Sequence, residues 1–278
     1  MRLVAIVITY FPNIQEVINN IYQYIEDVDH LIIWENTPIL ERDRYKIVIP
    51  KYSHKISYMS IDKNMGISYP INKAIQWGTK NKCTHIMTMD QDSKWENFSV
   101  YKSVVEKYND KNIAIFAPMI KDEYFGKCFS QYMQPITSGA IYPIHIFQHI
   151  GLFKENYFID CVDTEFYYRA ILMKYTVVPI DEGILSQQFG NYFQSKLFKF
   201  HTRGYSSFRL YHIVRNNIWL WREYKDKNVL PNGFLFKVVI EEIFKPTIKI
   251  LLAEQNKSNK IKAIYRGLYN GLKNKIYE

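Results

Sequence analysis

The sequence predicts an α/β protein: a mostly parallel sheet flanked by helices, followed by a helical, basic C-terminal region. Two features of residues 1–190 predict the first part. Apolar, strand-length runs alternate with helix-length stretches, and polar or turn residues follow the ends of several runs. Past about residue 190 the alternation of period two fades, and aromatic and basic residues interleave through 192–224.

The expected strands, in order, are Leu3–Thr9, His30–Trp34, Lys46–Ile49, Ser57–Ile61, His85–Met89, Ile113–Ala117 and Thr176–Ile180. Helix-like stretches fall between them at Ile14–Tyr24, Ile67–Thr79, Phe98–Tyr108 and Thr164–Lys174. Leu3 to Tyr10 is too short for a signal peptide, lacks a small-residue cleavage site and runs straight into Phe11-Pro12-Asn13, so it reads as a first buried strand. The strand ends lead into Tyr10-Phe11-Pro12-Asn13, Glu35-Asn36-Thr37-Pro38, Asp62-Lys63-Asn64-Met65-Gly66 and Asp90-Gln91-Asp92. Hydrogen-bonding groups at four strand ends are what a ligand crevice at a sheet edge needs.

The 278 residues suffice for one large domain or a domain with an appendage. A hydrophobic content of 47% with 16% aromatic residues excludes disorder. The charge is uneven. Residues 1–190 hold 19 Lys/Arg against 21 Asp/Glu, a balance of −2; residues 191–278 hold 17 against 6, a balance of +11, giving the net +9. The C-terminal third therefore suits an anionic partner. Cys83, Cys128 and Cys161 match no metal or disulfide spacing, which fits a reducing compartment. Phe234 to Leu252 is interrupted by six residues, Lys237, Glu241, Glu242, Lys245, Pro246 and Lys249, and has no uncharged stretch of the roughly 18 residues a bilayer span needs. Ile261, Ile264, Tyr265, Leu268, Leu272 and Ile276 recur at helical spacing among Lys262, Arg266, Lys273 and Lys275. Such a helix either packs on its parent domain or lies on an anionic membrane surface.

The apolar run Ile86–Met89 stops at Asp90-Gln91-Asp92-Ser93. Two carboxylates beyond a buried parallel strand can reach one hard cation, and Mg²⁺ is typically held by one or two carboxylates with substrate phosphates. A solvated loop with two acids is the plainer alternative. A second cluster, Asp160, Asp163 and Glu165, follows an aromatic run. If a helix starts near Thr164, Asp163 is its N-cap and Glu165 and Arg169 share a face. The cluster is richer than a cap requires, and a carboxylate there can act as general base toward a hydroxyl. Gly139 in Thr137-Ser138-Gly139-Ala140 either lets a substrate approach the backbone or simply closes a tight loop.

Taken in order, these segments resemble the family 2 glycosyltransferases of the GT-A fold, in particular the rhamnosyltransferase-like branch of bacterial polysaccharide synthesis. The resemblance covers roughly residues 3–220. It rests on Val7-Ile8-Thr9-Tyr10-Phe11-Pro12, Trp34-Glu35-Asn36-Thr37, Asn64-Met65-Gly66-Ile67 with Asn72, and above all Met89-Asp90-Gln91-Asp92-Ser93. Thr137-Ser138-Gly139, Ile150-Gly151-x-Phe153 and Phe158-Ile159-Asp160-x-Val162-Asp163-x-Glu165 continue it in register, and Arg209-Leu210-Tyr211-His212 with Arg215-Asn216 extend it.

The resemblance implies Asp163 as catalytic base. It implies donor contacts at Thr9, Tyr10, Glu35, Asn64, Gly66, Asp90, Arg209 and Arg215, with Glu35 replacing the family's usual Asp. It implies Mg²⁺ or Mn²⁺ on Asp90 and Asp92. Where the family often has a metal-binding His, Gln187 stands in Ser186-Gln187-Gln188-Phe189-Gly190, and its carbonyl oxygen suits a hard cation better than a transition metal. His201 and His212 read as packing or surface residues. The guanidinium fork suits phosphate oxygens, although Arg209 and Arg215 on a solvated helix face would need no ligand.

The expected activity is inverting transfer of a sugar from dTDP-rhamnose or a UDP-sugar to a glycan or lipid-linked glycan acceptor, at the inner face of the cytoplasmic membrane. The expected domains are 1–200, catalytic, and 201–278, a helical region packed on it. Nucleotidyl transfer would need a Gly/Arg/Lys-rich loop after the first strand, which Tyr10-Phe11-Pro12-Asn13 is not. A nucleic-acid binder would draw on the basic C-terminal third, but the acids at 90, 92, 160, 163 and 165 would repel phosphates without a metal, so no nucleic acid partner is expected.

Overall fold

The computed structural model describes residues 1–131, 134–190, 192–195 and 200–273. The chain begins with β1 (Leu3–Thr9), α1 (Ile14–Tyr22), β2 (His30–Glu35), the single turn α2 (Ile39–Arg42), β3 (Ile56–Ser60), α3 (Ser68–Lys80) and β4 (His85–Asp90). It continues through β5 (Lys94–Trp95), α4 (Phe98–Val105), β6 (Ile113–Asp122), β7 (Cys128–Phe129), β8 (Ile141–Pro143), α5 (Phe147–Ile150), α6 (Val162–Leu172) and β9 (Thr176–Gln187). After these come β10 (Phe193–Gln194), β11 (His201–Thr202), α7 (Ser207–Tyr224), α8 (Phe234–Val238), a π-helical turn at Val239–Phe244, α9 (Lys245–Ala253) and α10 (Lys257–Lys273).

Strands β1 to β9 form one sheet in the order β3-β2-β1-β4-β8-β6-β9-β5, with β7 paired to β6. The long ladders are parallel: β1 with β2 and β4, β2 with β3, and β6 with β9. The antiparallel ladders are short, at most three residue pairs, and come from strands no sequence run announced. β1 is buried on both faces because successive strands and the flanking helices cover it, which is why its sequence is continuously apolar. The chain goes from β1 outward to β2 and β3, then returns to place β4 on the other side of β1. That reversal makes the C-terminal ends of β1 and β4 a topological switch point, the place where open α/β sheets hold ligands.

Several expected elements change. Lys46–Ile49 is not a strand: Ile47 and Ile49 turn inward, Val48 is 57% exposed, and Pro50 starts a 3-10 turn while β3 takes the place beside β2. β6 and β9 run on past their expected ends as one parallel ladder, with a register shift after Pro118. Asp181-Glu182-Gly183, beyond the expected end of the last strand, lies within β9. A Cβ on Gly183 would fall 2.4 Å from the Tyr101 ring, so glycine there serves close packing. α6 starts at Val162, which puts Asp163 inside the first turn and not at the N-cap.

The chain divides into two compact units. One comprises Met1–Glu155 and Arg169–Gln188; the other comprises Asn156–Tyr168 and the residues from Phe189 on. The division falls before residue 200, and the second acidic cluster belongs with the C-terminal helices.

In this second unit α10 lies along α7. Ile264 is fully buried in a cluster with Leu210, Val214, Ile243 and Ile250, and Ile261 and Leu268 pack against it. Gly267 and Gly271 permit the close approach: a Cβ on Gly267 would stand 2.6 Å from the Tyr211 carbonyl oxygen, and one on Gly271 2.8 Å from the Ile218 Cβ. The apolar stripe is thus largely consumed by internal packing, with Tyr265 and Leu272 left exposed. Lys275 and Ile276 lie outside the described residues. Among the described residues no helix is long and apolar enough to cross a membrane.

Candidate active site

Strand register assembles the cluster in the first unit. Ile8 of β1 stands opposite Asp90 of β4, and Thr9 opposite Glu35 of β2. Three of the expected segments therefore end at one sheet edge. Tyr10 and Phe11 follow at the rim, 45% and 37% exposed, with Phe11 held at a φ of 46°.

Glu35 is fully buried. It accepts from Thr9 Oγ1 at 2.9 Å and from the Thr37 amide at 2.7 Å, while Thr37 Oγ1 accepts from the Phe11 amide at 2.8 Å. Glu35 and Thr9 thus shape the turn at 10–11 from within, in place of the direct donor contacts expected of them. Asn64 is similarly occupied: its Oδ1 accepts from the Gly66 amide at 2.8 Å, closing a turn in which Gly66 has a φ of 71°. Asn36 ties that turn to β2, donating to the Gly66 carbonyl at 2.8 Å and accepting from the Met65 amide at 3.2 Å.

The acidic motif leaves β4 as a short loop. Asp92 is exposed and Asp90 half-buried. Gln91 reaches back to β1: its Oε1 accepts from the Tyr10 amide at 2.8 Å and its Nε2 donates to the Tyr10 carbonyl at 3.3 Å. Ser138 supports the strand end, its Oγ accepting from the Asp90 amide at 3.2 Å and lying 2.7 Å from Ser93 Oγ. Gly139 has a φ of 77°, and a Cβ there would meet Leu185, Pro118 and Trp95, so the tight-loop alternative holds for it.

Gln187 is buried beside the motif. Its Nε2 donates to Asp90 Oδ2 at 3.3 Å, and its carbonyl oxygen accepts from Ser93 Oγ. The oxygen expected to face a metal is therefore turned to Ser93, and the amide nitrogen orients Asp90. Among the described residues no three His, Cys, Asp or Glu side chains gather into a group that could hold a metal by themselves. Two carboxylates, one of them exposed, fit a hard divalent cation that draws its remaining ligands from phosphates and water.

The second acidic cluster lies within the second unit. Phe158, Asp160 and Cys161 have φ values of 65°, 60° and 61°, a left-handed run without a glycine immediately before α6. Asp163 Oδ1 accepts from the Thr164 amide at 2.7 Å. Glu165 is fully buried and accepts from Tyr224 Oη at 2.8 Å. Asp160 receives Arg209 Nε at 3.2 Å and Nη2 at 3.1 Å; burial raises its pKa and Arg209 opposes that rise. Arg215 is turned inward. It lies 4.3 Å from the Trp219 ring centre and donates to the carbonyls of Asn156 and Tyr157, so it braces this loop and is not displayed for a diphosphate. His212 stacks on Phe158 at 5.4 Å, a packing residue as expected; burial lowers its pKa to about 4.

Gln91, Ser138, Asn36 and Asn216 are the participants that sequence reasoning passed over. All four stand inside recognised motifs, but their partners are distant in the chain and no spacing reveals them.

No protein-family model matches the chain. Among curated proteins it is 23% identical over 292 residues to the dTDP-rhamnosyl transferase RfbF of Shigella flexneri, spanning 97% of this chain and 95% of that one. Among solved structures it superposes with a TM-score of 0.61 on the mannosyltransferase PcManGT of Pyrobaculum calidifontis in complex with GDP-Man and Mn²⁺, at 11% identity over 99% of this chain and 88% of that one. The chain has the GT-A fold. It fits a rhamnosyltransferase-like family 2 glycosyltransferase, at low identity. A second GT-A structure, GalNAc-T7 with UDP, GalNAc and Mn²⁺, superposes with a TM-score of 0.59 at 10% identity over 99% of this chain and 56% of that one. In GT-A terms, β1, β2 and β4 supply the sheet edge that carries Tyr10, Glu35 and Asp90.

Proposed function

We propose that the chain is an inverting, metal-dependent glycosyltransferase that moves a sugar from a nucleoside-diphosphate donor, dTDP-rhamnose or a UDP-sugar, to a hydroxyl of a glycan or lipid-linked glycan in cell-surface polysaccharide synthesis. The observation that carries this reading is the register that sets Asp90 beside the end of β1, with Gln91 hooked to Tyr10. The relatives are named for dTDP-rhamnosyl transfer or solved with GDP-Man or UDP. All these nucleotides carry the diphosphate that a carboxylate-held divalent cation suits.

Asp163 takes the proton of the acceptor hydroxyl as that oxygen bonds to the anomeric carbon. The bond from that carbon to the diphosphate breaks on the opposite face, inverting the configuration. Asp90 and Asp92 would hold Mg²⁺ or Mn²⁺, which when bound supplies electrostatic stabilisation to the leaving diphosphate. Gln187 holds Asp90 in orientation, the exposed rings of Tyr10 and Phe11 offer a surface to the base, and Arg209 offers a guanidinium to the diphosphate. A panel of nucleotide sugars, assayed for transfer, hydrolysis and thermal stabilisation with Mg²⁺ or Mn²⁺, tests the donor class. Asp163→Asn should lower turnover by roughly 10² or more. Undiminished turnover in that variant would remove the base assignment.

Contact with the inner face of the cytoplasmic membrane is part of the same proposal, through a different surface from the one the sequence suggested. Along α8, the π-turn and α9, Phe236, Phe244, Ile248, Leu251 and Leu252 are exposed, as are Lys237 and Lys245, while Lys249 is half-buried. Each basic residue near an anionic surface contributes up to about 1 kcal/mol, screened by salt. Sedimentation with anionic but not neutral liposomes, weakened by salt and by Phe236→Ser with Leu251→Ser, is the expected result. Binding indifferent to those two changes would exclude this face.

A further inference from the structure

We infer that Asn216 is the positioning residue for Asp163. The inference rests on Asp163 as the base, and concerns how the second unit holds that carboxylate in place.

The segment before α6 takes a conformation that its own residues disfavour. Phe158, Asp160 and Cys161 all carry side chains and all sit in the left-handed region, with Asp163 two residues further on. Such runs persist where surrounding structure over-determines them, and they cluster where geometry matters to function. The over-determination here comes from one face of α7. Asn216 is fully buried. Its Nδ2 donates to the carbonyls of Tyr157 at 2.9 Å, Ile159 at 2.7 Å and Asp160 at 2.8 Å. One amide nitrogen, with two hydrogens, thus gathers three carbonyls from four consecutive residues.

Neighbouring side chains fix the amide and close the rest of the loop. Arg215 Nε donates to Asn216 Oδ1 at 2.9 Å, which sets the direction in which the amide points. Arg215 Nη2 holds the carbonyls of Asn156 and Tyr157, each at 3.1 Å. Arg209 holds the Asp160 carboxylate, and the His212 ring covers Phe158. Of these contacts, only those of Asn216 reach the backbone on both sides of the first left-handed residue and continue to the residue where the run resumes. Without them the carbonyls would have no reason to converge, and the first turn of α6 could swing with Asp163 on it. Displacement of a reacting group by about 1 Å can cost 10²-fold in rate.

The test is Asn216→Ser, which keeps a small polar side chain but cannot span three carbonyls. The expected result is a fall in kcat of about 10- to 100-fold, with donor KM and calorimetric donor binding near the parent's. In the Asp163→Asn background the same substitution should cost little further, because two residues acting through one group are not additive. A parental kcat, or an equal proportional loss in both backgrounds, would overturn the inference. Should Asn216→Ser fail to fold, Arg215→Lys is read in the same way: it keeps the charge and removes the Nε contact that sets the amide, so kcat should fall more than donor binding, and an unchanged kcat would count against the inference. Full activity in Asp163→Asn alone would instead remove the base assignment, whatever Asn216→Ser does.

Discussion

Gln91 and Tyr10 are joined twice, amide to side-chain oxygen at 2.8 Å and side-chain nitrogen to carbonyl at 3.3 Å, across the gap between β4 and β1. The middle residue of the acidic motif therefore fixes the turn that carries the exposed Tyr10 and Phe11 rings. Asn20 steadies the arrangement by donating to the Gln91 carbonyl at 3.0 Å. Gln91→Leu keeps the bulk and loses both bonds. Donor KM should rise by about tenfold, the effect of roughly 1.4 kcal/mol, while kcat at saturating donor changes less. A donor KM equal to the parent's would show that the turn keeps its shape unaided.

Asp92 is exposed, so Asp92→Asn should leave melting unchanged while lowering transfer by roughly 10² or more through loss of an anionic ligand. The residual activity should also need more divalent cation. Unaltered activity and cation dependence in both Asp92→Asn and Asp90→Asn would refute the clamp.

Gln187→His places an imidazole where an amide now orients Asp90. Because nitrogen ligands favour transition metals over Mg²⁺, Mn²⁺ binding measured by calorimetry without nucleotide should tighten. Equal affinities in the two proteins would mean that position 187 has no access to the cation.

His212 links pH to stability. Its folded pKa, about 4, lies below the ordinary histidine value because burial disfavours the imidazolium and Arg215 repels it; the buried Nδ1 has no hydrogen-bond partner among the described residues. The unfolded chain therefore binds the proton more readily between about pH 6.5 and 4. Stability is full above that window and falls as pH drops through it. His212→Phe preserves the stacking on Phe158 and should flatten the fall in melting temperature between pH 7 and 5. An unchanged pH slope would assign the loss to other groups.

The sheet was largely legible because β1 and β4 are buried on both faces and spell continuous apolar runs. β5 and β8 were not, since two- and three-residue strands have no periodicity to show. Lys46–Ile49 has the alternation of a strand but no partner at the sheet edge, and Ile47 and Ile49 find their burial without one. Asp90, Gln91 and Asp92 were visible as a motif, yet what Gln91 does depends on Tyr10, 81 residues away. Arg215 and Gln187 were recognised by position and assigned to ligands, but each side chain is committed within the protein. A linear pattern marks which residues matter and cannot say which way a guanidinium or an amide turns.

The glycines of α10 reach further than their own helix. Because Gly267 and Gly271 let α10 seat on Tyr211, Val214 and Ile218, that helix is the backing of α7, whose other contacts hold the 156–160 loop. Cutting the chain before Ile261 would bare Val214 and Ile218 and unbrace the loop together. Lost membrane binding in such a truncated protein would then be indistinguishable from damage, and lost activity would implicate a helix whose observed part is to back α7. Point changes on the outward face of α9 leave that backing whole, and they separate anchorage from architecture where a deletion confounds them.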